Sequence, residues 1–142
     1  MREPISLQAQ LWLNQYWQHF GRWAESGMRD TEALQEAAAA LRALLLRCPG
    51  KAADVERIAA IACFASRRSP ALRAVADLAR CGLQAANMAT ETEAPRHAPA
   101  ILLLALAEAE LHARRRAAGL EALRRLERRL ATAGDGDAFS GW

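Results

Sequence analysis

β-Branched residues are scarce in this 142-residue chain, and their scarcity argues against a β-sheet. Alanine and leucine dominate instead, and 52% of the residues are hydrophobic while 25% are charged, which is typical of a folded, helical protein. We therefore predict an all-α fold. The chain is long enough to bury one core, so we expect a single helical domain over residues 1–133 and a flexible tail over residues 134–142.

Cysteine and long apolar segments are also scarce. Only Cys48, Cys63 and Cys81 are present and no CxxC pair occurs, which argues against a disulfide framework and predicts buried thiols in a reducing compartment. The longest apolar run, APAILLLALA, is too short to span a bilayer, and the start, MREPISLQAQ, lacks the apolar core of a signal peptide. We expect a cytoplasmic protein without a membrane span.

The sequence lacks the common catalytic and cofactor-binding motifs. There is no HExxH, GxSxG, Walker loop or GxGxxG, and the three histidines are scattered. Glu108 and His112 lie four residues apart on a predicted helix, a spacing typical of a surface contact, because diiron bundles place Glu and His three apart and in duplicate. We predict no enzymatic activity, no metal and no cofactor.

Capping signals and helix breakers divide the chain into about six helices. Glycines are expected at helix ends, where a positive φ is useful. The predicted helices run from near Pro4 to about Trp23, from the Asp30 cap to Cys48, over about 52–65, from Ser69-Pro70 to Gly82 or Met88, from Pro99 to a turn near 115–116, and from there to Gly134.

A pattern of large and small residues recurs after 45 positions. In the first copy, two large residues three apart precede Ala62, and Ala74 follows twelve residues after it. In the second copy, two large residues three apart precede Ala107, and Gly119 follows twelve residues after it. Small residues at these positions let two antiparallel helices approach closely. The pattern resembles the tetratricopeptide (TPR) repeat, and this resemblance implies antiparallel hairpins that form a helical-repeat bundle.

In a TPR-like register, one face of the fifth helix lines a groove that binds a partner protein. The equivalent face of the third helix completes it. The predicted groove residues are Ile101, Leu104, Glu108, Leu111 and His112 on the fifth helix, and Ala59, Cys63 and Arg67 on the third.

The N-terminal stretch LWLNQYWQHFGRW holds five of the eight aromatic residues. Trp12, Tyr16, Phe20 and Trp23 follow helical spacing and form one stripe. The stripe either packs against the alanine-rich second helix as core, or remains partly exposed, with Trp12 and Tyr16 as anchors for a partner helix.

Arginine supplies all but one of the 19 basic residues. Seven of them lie in ARRRAAGLEALRRLERRL, a density that suits phosphate binding. The leucines of this segment trace one helical stripe, which places Arg124, Arg125, Arg128 and Arg129 on its flanks. A solvated helix face is the simpler interpretation, and nucleic-acid binding the alternative.

The segment LALAEAELHARRRAAGLEALRRLERRLATAGD resembles the C-terminal region of the type III secretion needle-subunit chaperones of the YscG/PscG kind. The stretch EALQEAAAALRALLLRCPGKAADVERIAAIACFASRRSPALRAVADL is similar to their middle helices. The resemblance implies a TPR-like fold that binds a small helical co-chaperone and clasps the C-terminal helix of the needle subunit. The chain differs from the family in its aromatic N-terminal helix and its C-terminal tail.

We therefore predict a bacterial chaperone or adaptor that buries an amphipathic helix of a partner protein. Two alternatives remain: a helical DNA- or RNA-binding regulator that uses the arginine-rich face, and a homodimeric bundle whose aromatic helix is the subunit interface. The identity of the client does not follow from these residues.

Overall fold

The computed structural model of the chain describes residues 3–88 and 98–132, and within these ranges it contains six α-helices and no strand. The predicted all-α fold is confirmed. The tail predicted over 134–142 lies outside the described residues, as does the segment 89–97 before the fifth predicted helix. The helices are α1 (Glu3–Glu25), α2 (Thr31–Arg47), α3 (Ala52–Ala65), α4 (Leu72–Met88), α5 (Ala98–His112) and α6 (Arg116–Thr132), with a 3₁₀ turn at Pro49–Lys51.

The link between α1 and α2 shows why the chain turns where the sequence predicts. Gly27 adopts a φ of +69°, which lets the N–H of Met28 donate to the carbonyl of Trp23 at 3.1 Å in a Schellman motif. Asp30 then caps α2, because its Oδ1 accepts a hydrogen bond from the N–H of Ala33 at 3.0 Å.

The predicted start of α4 is wrong by about two residues. Ser69 was expected to cap the helix and Pro70 to open it, but α4 begins at Leu72. The Ser69 hydroxyl accepts a hydrogen bond from the N–H of Ala71 at 3.1 Å, and the N–H of Leu72 donates to the carbonyl of Pro70. These contacts form a tight turn before the helix, so the serine stabilises the loop.

Consecutive helices pack as three antiparallel hairpins, α1–α2, α3–α4 and α5–α6, as predicted. Helix α4 also contacts α2 and α5, and α3 contacts α5, which joins the hairpins around one cluster of buried apolar side chains. No helix of the described ranges is long and apolar enough to cross a membrane.

The small residues of the repeat lie at helix contacts, but the two copies are not equivalent. Ala62 and Ala74 are buried on the paired helices α3 and α4. A Cβ added at Gly119 would lie 3.4 Å from the carbonyl oxygen of Ala107, so this pair faces across α5 and α6 as predicted. In contrast, Ile61 is exposed whereas Leu106, its counterpart, is buried.

The aromatic residues of α1 belong mainly to the core. Tyr16 and Trp23 are buried, and Phe20 lies between them with its ring centroid 5.6 Å from that of Tyr16 and 5.1 Å from that of Trp23. Their partner is α2, the helix with which α1 makes its main contacts. Of the two predicted roles for this stripe, core packing is the one that the structure shows for Tyr16.

Candidate functional site

A groove of about 950 Å³ opens between α3, α5 and α6. Its α3 wall is the C-terminal end of that helix and the turn after it, its floor is one face of α5, and its α6 wall is the C-terminal half of that helix. The residues that line it are Cys63, Phe64, Arg67, Arg68, Ala100, Ile101, Leu104, Ala105, Glu108, His112, Leu126 and Leu130.

Helix α5 exposes a face to this groove because its neighbours cover only the others. Its residues Leu102, Leu103 and Leu106 are buried, and the helix packs against α4, α6 and α3. Ile101, Leu104 and Glu108 follow at spacings of three and four residues, which places them on one remaining face. A helix that is apolar on nearly all sides therefore retains exposed apolar surface on this side.

One part of the groove is apolar and accessible to solvent. Phe64 is 59% exposed and Leu104 is 43% exposed, although both are large apolar side chains. Leu126 and Leu130 of α6 are half-buried at the same groove. Exposed apolar residues that converge on a concave surface are typical of an interaction site.

The other part of the groove is polar. The guanidinium of Arg67 lies 4.3 Å from the centre of the Phe64 ring, a cation–π contact that holds the arginine at the groove wall. Arg67, Glu108 and His112 also line a small adjoining cleft. Glu108 and His112 thus share a face of α5 as predicted, and both are exposed.

Six of the eight predicted groove residues line the groove: Cys63, Arg67, Ile101, Leu104, Glu108 and His112. Two do not. Ala59 is fully buried, with its Cβ directed at Gly82 of α4, because this part of α3 faces the core. Leu111 packs instead against α6, where its side chain covers Gly119.

The two aromatic anchors predicted on α1 do not belong to the groove. Tyr16 is 1% exposed and therefore has no surface to offer a partner, so its predicted role as an anchor is wrong. Trp12 is half-buried at the core, and the guanidinium of Arg47 lies 5.8 Å from the centre of its ring. Trp17 is the most exposed ring of this helix, and its centroid lies 4.9 Å from that of Tyr16 at the edge of the stripe.

The sequence-based prediction missed four prominent lining residues: Phe64, Arg68, Leu126 and Leu130. Phe64 and Arg68 each follow a predicted residue, Cys63 or Arg67, by one position and are themselves four residues apart, so a predicted face one residue wider would have included both. The α6 leucines were recognised as a stripe, but the stripe alone does not reveal that its C-terminal half borders α5 at the groove.

The thiol that lines the groove, that of Cys63, is not activated as a nucleophile. Cys63 forms part of the α3 wall, and burial raises the pKa of this thiol to about 12, with the nearby Cys81 adding to the effect. Its Sγ lies 3.9 Å from the carbonyl oxygen of Val75. A thiol with such a pKa is overwhelmingly protonated at neutral pH, which makes it a poor nucleophile.

A second cavity, of about 820 Å³, lies on another side of the molecule, where the start of α4 meets the α5–α6 turn. Arg73, Arg80 and Arg115 border it together with Asp77. Two of these arginines, Arg80 and Arg115, are bound to the buried carboxylate of Glu110. Among the residues that the structure describes, no group of three His, Cys, Asp or Glu side chains could hold a metal ion.

Comparisons with known protein families, with curated protein sequences and with solved structures found no match to this chain.

Proposed function

We propose that this protein binds an amphipathic helix of another protein in the groove between α3, α5 and α6. The observation that carries the proposal is the apolar surface exposed there, above all Phe64 and Leu104. Helix-in-groove recognition requires such a surface, since the partner contributes an apolar stripe and the groove supplies its cover.

The size of the groove suits a helix. An α-helix about 10 Å across with a pitch of 5.4 Å occupies roughly 420 Å³ per turn. The groove volume of about 950 Å³ therefore corresponds to about two turns. Two turns present three anchors at positions i, i+4 and i+7, and burial of each leucine-sized anchor contributes roughly 1.5–3 kcal/mol.

The protein acts in this proposal by covering a surface, without a chemical step. A client whose apolar stripe is buried in the groove cannot use that stripe for self-assembly or aggregation. The resemblance of residues 104–135 and 32–78 to needle-subunit chaperones points to a specific client, the C-terminal helix of a type III secretion needle subunit held in the bacterial cytoplasm.

The arginines of α6 offer less support for a nucleic-acid-binding function. Glu121 lies within ion-pair distance of Arg124, at 3.6 Å, and of Arg128, at 3.8 Å, which reduces the positive charge of this face. Retention on heparin that falls steeply with salt would favour this alternative, because phosphate contacts depend strongly on salt and apolar burial does not.

A single substitution in the groove tests the proposed function. A display library of amphipathic helical peptides is selected against the wild-type protein, and the enriched peptides are measured by fluorescence anisotropy. We expect apolar residues at i, i+4 and i+7 in these peptides, and Leu104→Asp to weaken their binding more than ten-fold. The far-UV circular dichroism should persist, since Leu104 is 43% exposed.

Leu46→Asp is the matched control, because Leu46 is exposed on α2 and does not line the groove. This variant should bind the same peptides with unchanged affinity. Equal binding by Leu104→Asp and Leu46→Asp would contradict a site in the groove. Unfolding of Leu104→Asp would instead assign Leu104 to the core.

A further inference from the structure

The groove has two chemically different ends. Helices α4 and α5 are antiparallel, since Gly82 lies against Leu102 while Arg80, nearer the start of α4, binds Glu110, nearer the end of α5. Because α3 is also antiparallel to α4, α3 and α5 run in the same direction, and Arg67 and His112 lie at one end. Helix α6 runs opposite to α5, so Leu130, near the end of α6, and Ile101, near the start of α5, lie at the other end of the groove. A bound helix would therefore meet leucine and isoleucine at one end and charged side chains at the other.

The charged end carries an excess of positive charge. Arg67 and Arg68 are exposed, and within residues 3–88 and 98–132 neither guanidinium forms an ion pair with a carboxylate. Among the described residues, Glu108 is the only acidic one that lines the groove. Two arginines face one carboxylate there, and the second positive charge has no counterpart in the part of the groove wall that the structure describes.

The cation–π contact with Phe64 fixes one of these charges in place. Since the Arg67 guanidinium lies over the Phe64 ring, it stands directly beside the apolar surface that a partner helix would cover. An acidic residue next to the apolar stripe of the partner could reach it without leaving the groove. A lysine at that position would meet two like charges.

We propose, building on the function above, that the occupant of the groove is an acidic amphipathic helix. Its apolar stripe lies against Leu104 and Leu126, and an aspartate or glutamate at one end of the stripe pairs with Arg67 and Arg68. The charge selects among amphipathic helices and sets which end of the helix enters which end of the groove, while the apolar contacts supply most of the affinity.

Two synthetic peptides test this selectivity. Both are 18-residue amphipathic helices with an identical leucine stripe; the first carries glutamates at both ends of the stripe and the second carries lysines at the same positions. We expect the full-length protein to bind the glutamate peptide at least five-fold more tightly at low salt, because each exposed ion pair contributes modestly. The preference should shrink at high ionic strength.

Charge reversal in the protein provides the matched variants. Arg67→Glu combined with Arg68→Glu should reverse the preference, so that the lysine peptide binds more tightly. Arg29→Glu should leave the preference unchanged, since Arg29 is exposed in the α1–α2 turn and does not line the groove. The double variant reports on selection and not merely on folding, because its affinity for the lysine peptide rises.

The outcomes separate this inference from the proposed function. If the wild-type protein binds both peptides equally and Leu104→Asp binds neither, the acidic preference would be overturned and the proposed helix-binding function would stand. If neither peptide binds and the display library yields no binder, both the acidic preference and the proposed function would be overturned. Dimerisation of the protein alone in sedimentation experiments, abolished by Leu104→Asp, would identify a second copy as the occupant and overturn the acidic partner.

Discussion

At the scale of single residues, Glu110 is the least expected feature of the molecule. Its side chain is 1% exposed, yet it is a carboxylate. Arg80 of α4 binds one oxygen, and Nε of Arg115 donates to the other at 2.6 Å. The backbone N–H of Arg115 also donates to the carbonyl of Glu110, at 2.8 Å, where Arg114 turns the chain with a φ of +65°. One residue thus joins α4, α5 and the turn into α6.

Neutralising this carboxylate should destabilise the fold. Glu110→Gln keeps the shape of the side chain but leaves one acceptor oxygen for two guanidinium donors, so one charge-assisted hydrogen bond is lost and the other is weakened, and we expect the free energy of unfolding to fall by about 1–3 kcal/mol. Urea unfolding measures the change. Glu108→Gln on the same helix is the control, and because Glu108 is exposed we expect less than about 0.5 kcal/mol. Similar effects in both variants would contradict a special role for Glu110.

At the scale of helices, close approach depends on glycine inside two of them. The sequence-based expectation that glycines mark helix ends holds for Gly27 and is wrong for Gly21, Gly82 and Gly119. A Cβ at Gly82 would lie 2.7 Å from Cδ2 of Leu102 and 2.8 Å from Cβ of Ala59. The absence of a side chain there lets α4 contact α3 and α5 together, which positions α5 as the floor of the groove.

The opposite effects of two glycine substitutions would reveal this close packing. Gly82→Ala should lower the free energy of unfolding by about 1–3 kcal/mol, since the Cβ of Ala59 cannot move without a shift of α3. Gly21→Ala should raise it by about 0.5–1 kcal/mol, because Gly21 lies within α1, has no atom within 4 Å of an added Cβ, and alanine is the better helix former. Stabilisation by both substitutions, measured in urea, would contradict the packing role of Gly82.

The sequence predicted best those structural features whose cause lies in residues that are close together along the chain. The caps and breakers located the ends of α2 and α3 well, since Asp30 and Pro49 act on their immediate neighbours. Helical spacing identified Ile101, Leu104 and Glu108 as one face, and the structure places that face in the groove. It misplaced Ala59, because spacing defines a face of a helix but not which neighbouring helix covers it.

At the scale of the whole molecule, the three hairpins leave different surfaces at the two ends of the array. Helix α1 makes its main contacts with α2, and α6 makes its main contacts with α5. Leu120 and Leu123 on α6 consequently remain more than a third exposed, although their counterparts Val75 and Leu78 on α4 are buried between other helices. The groove lies beside this less covered end, which explains why apolar residues of α5 and α6 remain accessible there.

The buried thiols make the stability of the whole fold sensitive to alkaline pH. Burial raises the pKa of Cys63 to about 12 and that of Cys81 to about 11, whereas a thiol in the unfolded chain ionises near pH 8.5. Above that pH the unfolded chain loses protons that the folded protein retains. The contribution of the two protonated thiols to the stability of the fold is therefore complete below about pH 8.5, and it decreases as the pH rises toward the pKa values of the folded state.

We expect the free energy of unfolding to fall between about pH 9 and pH 10 by up to about 1.4 kcal/mol per pH unit for each of the two thiols. Urea titrations at several pH values measure this slope. Cys63→Ala removes one of the thiols, so its slope should be smaller than that of the wild type even though its stability at pH 7 is also lower. An unchanged slope would mean that Cys63 does not stay protonated when folded, and the tight packing of α3 beneath the groove would then be contradicted.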